Sequence, residues 1–104
     1  MRIRKEINKI KERKKLAQVA DALGHPLRLE ILSYLAAKNS VRKDVCNRDL
    51  VENLPISQAT VSQHIKRLIN ANLLIVIQKS EYTFYSVNKR TLYDFQTGCK
   101  AIVE

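Results

Sequence analysis

The chain has no tryptophan, and only two glycines, two prolines and two cysteines in 104 residues. Each scarcity removes a class of protein. With Gly24 and Gly98 alone, no glycine-rich loop is available to cradle a phosphate. Two thiols, Cys46 and Cys99, do not make the disulfide framework of a small secreted domain. The longest apolar run, Leu73 to Ile77, falls far short of the ~20 residues a membrane span needs. The basic start Met1-Arg2-Ile3-Arg4-Lys5 leads into more charge rather than an apolar stretch, so no signal peptide is expected and the expected location is the cytoplasm. No carboxylate pair stands beside a histidine, and there is no nucleophile elbow, so an enzyme is not expected.

What is present is a chain 45% hydrophobic and 28% charged, enough for one small core and one domain. The net charge is +9, which suits a polyanionic partner, most simply nucleic acid. Residues 1–15 hold eight basic side chains against Glu6 and Glu12, a net +6, and the rest of the chain holds +3. From Asn53 to Ser80 there is no Asp or Glu, while Lys66, Arg67 and Lys79 are present. Such a stretch suits a surface that approaches phosphates, or else a buried part of the chain.

Periodicity predicts the elements. Ile3, Ile7 and Ile10, then Leu16, Val19, Ala20 and Leu23, mark a first helix whose stripe drifts round the face, with Gly24 as its terminator. His25-Pro26 starts a second, with Leu27, Ile31, Leu32, Tyr34 and Leu35 inward and Arg28 and Glu30 toward solvent. His25 is expected to serve the turn. After a polar loop over 37–43, Asp44 caps a short third helix, Val45 to Asn53. Beyond the Leu54-Pro55-Ile56 turn, Ser57 caps a fourth that runs to about Ala71 and buries Val61, Ile65, Leu68 and Ile69. Its opposite face carries Gln58, Thr60, Gln63, His64 and Arg67. Leu73 to Gln78 and Tyr82 to Val87 read as a hairpin with a glycine-free turn near Lys79-Ser80-Glu81. A last helix from about Lys89 carries Leu92, Phe95, Cys99 and Ile102. The fold class is mostly α with a small β-hairpin wing (α+β): a winged helix-turn-helix of four helices, two strands and a fifth helix. Within the single domain 1–104, residues 1–15 are a basic extension, 45–71 the helix-turn-helix, 73–87 the wing and 89–103 a C-terminal helix.

A helix in the major groove reads base edges with side chains near its N-terminus. Gln58, Thr60, Ser62 and Gln63 are the candidates for base contacts, although Ser62, next to Val61, could equally bond back to a carbonyl. Ser57, His64, Lys66, Arg67 and Lys79 are the candidates for phosphate contacts. A metal role for His64 is not expected, because no second ligand stands near it in sequence.

The phrases Ala22-Leu23-Gly24-His25-Pro26-Leu27-Arg28-Leu29-Glu30-Ile31-Leu32 and Ile56-Ser57-Gln58-Ala59-Thr60-Val61-Ser62-Gln63-His64-Ile65 resemble the ArsR/SmtB family of transcriptional regulators. Asp49-Leu50-Val51, Asn72-Leu73-Leu74 and Thr83-Phe84-Tyr85-Ser86-Val87 fit as well, and the resemblance covers about residues 16–104. Pro55 where a glycine is common, the glycine-free wing and a longer loop before the third helix depart from it. The resemblance implies a homodimer built from the first and last helices, with Ile7, Ile10, Leu16, Leu92, Phe95 and Ile102 at the interface. A symmetric dimer would read a palindromic site in double-stranded DNA, as a repressor.

Many members of that family release DNA on binding metal. Here Cys46 and Asp49 fill the outer places of the third-helix metal box, but Arg48 stands where a second thiolate belongs. The last helix has Asp94 and no histidine, so no metal and no other cofactor is expected. Cys46 and Cys99 remain a candidate redox pair, with Arg48 favouring a thiolate at Cys46 and the apolar setting of Cys99 counting against it. The competing reading is a winged-helix protein-interaction module without sequence-specific DNA binding.

Overall fold

Apolar side chains at helical spacing can be buried only if helices pack on one another, and the hairpin closes what they leave open. The computed structural model describes residues 2–104 of the chain. The order is α1 (Arg2–Leu23), α2 (Pro26–Asn39), α3 (Asn47–Asn53), α4 (Gln58–Asn70), β1 (Leu74–Lys79), β2 (Tyr82–Val87) and α5 (Lys89–Val103). This is the expected winged helix-turn-helix. The two strands pair antiparallel from Leu74↔Val87 to Lys79↔Tyr82, which leaves Ser80 and Glu81 as a two-residue turn. Ser80 takes φ 56, so a serine adopts the left-handed conformation usually given to glycine.

One core joins all the elements. Ile31 and Leu35 of α2, Leu50 of α3, and Val61 and Leu68 of α4 are fully buried, together with Val45 and Leu73 from the connections. Val19 and Ala22 bring the C-terminal half of α1 into it, and Leu74, Tyr85 and Val87 bring the wing. Tyr85 N–H also donates to Val45 O at 2.8 Å, so the chain before α3 adds a bridge to the wing's β2. Residues 3–15 of α1, by contrast, are exposed on every side.

Two helix ends differ from the sequence reading. Asp44 is not the cap of α3; Cys46 is the N-cap residue, and its N–H is satisfied by Asp49 Oδ2 at 3.0 Å. The physical reason is that Val45 is drawn into the bridge with Tyr85, which starts the helix later. Gly24 follows the end of α1 without a left-handed turn, since no glycine has positive φ. Asn72 is the residue that does take one, at φ 59, at the end of α4. Leu73 N–H reaches Leu68 O and Asn72 N–H reaches Ile69 O, both at 2.9 Å, which is the Schellman closure. Ile69 is a further correction. It is 37% exposed, because α4 turns this border of its apolar face to solvent.

Gly98 has a packing role. A Cβ there would stand 2.7 Å from Leu16 Cδ1, so its absence lets α5 lie close on α1.

Leu35 is fully buried where α2 meets the common core. Leu35→Ala is expected to lower the unfolding free energy by about 2–5 kcal/mol. Urea denaturation measures this; a loss within experimental error would contradict the packing described.

Candidate nucleic-acid interface

α4 is held from below by the core and offers its other face to solvent. Val61, Ile65 and Leu68 are buried, and Gln58, Ser62, Gln63, Lys66 and Arg67 are exposed on the remaining surface of α4. Ser57 caps the helix as expected, with Oγ accepting from Thr60 N–H at 3.3 Å. The same hydroxyl donates to Thr60 Oγ1 at 2.9 Å, so Ser57 and Thr60 already share a bond at the helix start. Ser62 is exposed. Lys79 is exposed at the end of β1, beside the hairpin turn. Gln58 lines a cleft of about 570 Å³ that runs between α3 and the wing residues Glu81, Tyr82 and Thr83.

The acid-free stretch of sequence is not acid-free in space. Asp21 of α1 approaches Arg67 at 3.5 Å. Glu52 and Glu81 border the Gln58 cleft, and Glu52 is paired with Arg48 at 3.0 Å. Arg67 and Gln58 thus each have an acidic neighbour, whereas among the described residues no ion pair or acid-lined cleft includes Ser62, Gln63 or Lys66.

His64 requires correction. Its side chain is not on the outer face: it is 9% exposed, on the border of the apolar face opposite Ile69. Arg28 Nη1 lies 3.3 Å from His64 Nδ1, and the His25 ring lies 4.6 Å away, centroid to centroid. Burial first, then His25 and Arg28, push the His64 pKa below its ordinary value. The folded state therefore binds this proton less readily than the unfolded chain. The stability contributed by neutral His64 is present above about pH 6.5 and is lost as pH falls through the folded value. Arg28 is also not a solvent-side residue, as its guanidinium is spent on the α1–α2 corner. Nε donates to Ala22 O at 2.6 Å and Nη2 to Asp21 O at 3.2 Å. His25 serves the turn as expected, its Nδ1 accepting from Leu27 N–H at 3.1 Å.

The two thiols are both free and lie in different surroundings. Cys46 lines the wing-side cleft and its Sγ donates to Asp49 Oδ2 at 3.4 Å. Cys99 lies on α5, the helix packed on α1, and no bond joins it to Cys46. Arg48 is engaged by Glu52. Among the described residues no group of three His, Cys, Asp or Glu is placed to hold a metal ion.

The expected interface residues divide. Leu92 and Phe95 pack on the core as half-buried side chains, and Leu16 meets α5 at Gly98. Ile7, Ile10 and Ile102 are exposed at 45%, 52% and 73%. Between α1, α5 and the end of α4 runs an open groove of about 930 Å³, lined by Leu16, Val19, Phe95, Gly98 and Ile102 among others.

A helix-turn-helix with a wing, presenting amides, hydroxyls and cations from its second helix, defines a DNA-binding transcriptional regulator. The sequence profile described as "Bacterial regulatory protein, arsR family" matches residues 25–76. The arsenical resistance operon repressor of Staphylococcus xylosus is 32% identical over 79 residues, 76% of this chain and 71% of the repressor. That of Bacillus subtilis (strain 168) is 32% identical over 75 residues, 72% and 68% of the two chains. An ArsR-like transcriptional regulator from Rhodococcus sp. RHA1 superposes with a TM-score of 0.74 at 25% identity, covering 86% of this chain and 79% of that one. NolR from Sinorhizobium fredii shares the fold at 23% identity with a TM-score of 0.68, covering 91% and 90%. The chain belongs to the ArsR family of bacterial regulatory proteins, a family of regulators and not of enzymes. Among the described residues no helix is long and apolar enough to cross a membrane.

The Asp49 carboxyl is held below the usual carboxylate value, chiefly by the Cys46 N–H and further by Arg42, whose Nη2 lies 3.0 Å away. Asp49→Asn is expected to cost about 1 kcal/mol at pH 7. The carboxylate's contribution is present above its unfolded value near 4 and is lost as pH falls through the folded one. The difference in urea midpoint between the two proteins should therefore be smaller at about pH 3 than at pH 7. An equal gap at both pH values would contradict this role for Asp49.

Proposed function

We propose that the protein is a homodimeric repressor that reads a palindromic operator with α4 in the major groove. The observation that carries this is the two-sidedness of α4. Three buried apolar side chains fix the helix, while Gln63, on the opposite side, projects an amide with no partner among the described residues. Gln makes bidentate contact with adenine, and Ser62 bonds several base edges. Gln58 and Thr60 sit at the helix start, where base edges come closest, with Thr60 half-buried and sharing the Ser57 hydroxyl. Ser57, Lys66, Arg67 and Lys79 are assigned to phosphates. His64 drops out of that set for want of exposure.

The dimer is assigned to α1 and α5. Exposed Ile7, Ile10 and Ile102, with the apolar wall of the groove at Leu16 and Phe95, supply a surface that a second copy would cover, and Leu92 of the same helix as Phe95, packed on the core, is assigned to support it. Two-fold symmetry then sets the half-sites about 34–36 Å apart, one helical turn, or a multiple of it. The relatives' role as repressors of arsenical resistance operons supports repression as the mode of action, in the cytoplasm where bacterial DNA lies. The domain divides accordingly into a basic extension (1–15), a helix-turn-helix (45–71), a wing (73–87) and a dimerisation helix (89–103).

Gln63→Ala is expected to weaken binding to the selected operator by about 1–3 kcal/mol and to leave random-sequence DNA nearly unaffected. Fluorescence anisotropy on both duplexes measures it, and an equal loss on the two would make Gln63 a backbone contact. Phe95→Glu with Ile10→Glu should shift the dimer toward monomer in sedimentation equilibrium. A variant that sediments as the wild type does would remove α1 and α5 from the interface.

A further inference from the structure

We propose that His64, in its neutral form, is a positioning residue that braces the recognition helix through Arg28, so that its protonation lowers operator affinity without its touching DNA. The inference rests on the reading of α4 as the DNA-reading helix. It begins with Arg28, whose side chain is fixed before α4 is considered. Asp21 and Ala22 belong to the last turn of α1, where carbonyls lack helical partners. Arg28 bonds both, Nε to Ala22 O and Nη2 to Asp21 O, the latter also accepting from Gly24 N–H. A guanidinium there also meets the negative end of the α1 dipole. Its plane is therefore set by α1, and its remaining nitrogen, Nη1, is left aimed at His64 Nδ1 at 3.3 Å.

The other side of the imidazole is fixed as well. His25 lies 4.6 Å from it, itself held as the N-cap of α2. The titratable and charged groups that face His64 are thus Arg28 from α2 and His25 from the α1–α2 connection. The Asp21 carboxylate is turned to Arg67, leaving no acid to receive a charged imidazole. Elsewhere α4 packs on α2, α3 and β1, and it meets the α1 corner through these polar side chains. The Arg67–Asp21 pair, both partners exposed, contributes little rigidity. The Arg28–His64 contact, part-buried and made by a locked guanidinium, carries the brace.

Arginine has donors and no acceptor, so Nδ1 must offer a lone pair, with the proton on Nε2. A second proton, at Nδ1, would set N–H against N–H and cation against cation. The contact then opens. His64 directly follows Gln63 and lies within the same two turns as Ser62, so a displacement of its ring tilts the side chains assigned to bases. Exposed phosphate contacts on a displaced helix can re-form, whereas base contacts depend on position. The loss should therefore fall on the operator more than on random DNA.

The chain has only two histidines, so a titration between pH 8 and 5.5 has few sources. The probe is the duplex that wild-type protein selects from a random-sequence pool at pH 7.5, with a scrambled duplex as control, at fixed salt. Circular dichroism fixes the pH range over which every variant is folded. Wild-type affinity for the selected duplex is expected to fall about tenfold across this range relative to the control. In His64→Asn, Oδ1 can stand in for Nδ1 and does not titrate, so tight binding should persist with a flat pH profile. His64→Leu keeps a buried side chain without the acceptor and should bind the selected duplex weakly at every pH. Nitrogen-15 shifts of the DNA-free wild type should show Nδ1 unprotonated and Nε2 protonated at pH 7.5.

Affinity that rises as pH falls would make His64 a phosphate contact and overturn the proposal. So would a pH profile in His64→Asn that matches the wild type, or a proton on Nδ1 at pH 7.5. Failure of the wild type to select any duplex would instead sink the reading of α4 itself, and the inference with it.

Discussion

The arrangement depends on the burial of one face of α4. Val61, Ile65 and Leu68 are at most 3% exposed, set against the same core as Ile31, Leu35 and Leu50. A helix of thirteen residues is marginal by itself in water, so its existence and its orientation come from that contact. Because side chains repeat every 3.6 residues, fixing one face fixes the opposite one. Gln63 and Lys66 are presented because Val61 and Ile65 are not free to turn. The Ser57 cap and the Asn72 closure then limit the helix to the length that this face supports.

The wing and α5 follow from the same constraint. Leu73 and Leu74 continue the core directly after the Schellman turn, which sends the chain back along the helices as β1. The bridge from Val45 to Tyr85 ties the wing to the segment before α3, and Cys46 and Asp49 then organise the start of that helix. The result is a head in which α3, α4 and the wing border one cleft. α1 and α5 form a separate surface, joined to the head through Val19 and Ala22 and through the Arg28 corner.

Element order and type were legible because each helix carries a distinct apolar face and the hairpin has β-branched and aromatic residues. The Ser57 cap was legible because it follows a Pro-containing turn. What escaped sequence reasoning lies at borders. His64 and Ile69 flank the α4 apolar face on opposite sides, and periodicity cannot say which border is covered. The α1–α2 corner covers His64, and nothing comparable covers Ile69. Asp44 and Asp49 are both plausible partners for the start of α3, and a non-local bridge at Val45 decides between them. Arg28 looked solvent-facing because its partners are backbone carbonyls, which carry no mark in a sequence. The acid-free stretch misled for a similar reason, since Asp21, Glu52 and Glu81 reach the site from outside it. In the candidate site, Gln63 and Lys66 were legible as exposed polar residues, while the neighbours that tune them were not.

The central claim is that this face of α4 distinguishes one DNA sequence from another. It is tested most directly by titrating the wild-type protein against its selected duplex and a scrambled duplex over a range of salt concentrations. The account predicts a preference of at least about 10³-fold for the selected duplex, with affinity for both falling steeply as salt rises. Equal affinity for the two duplexes, or binding insensitive to salt, would contradict it.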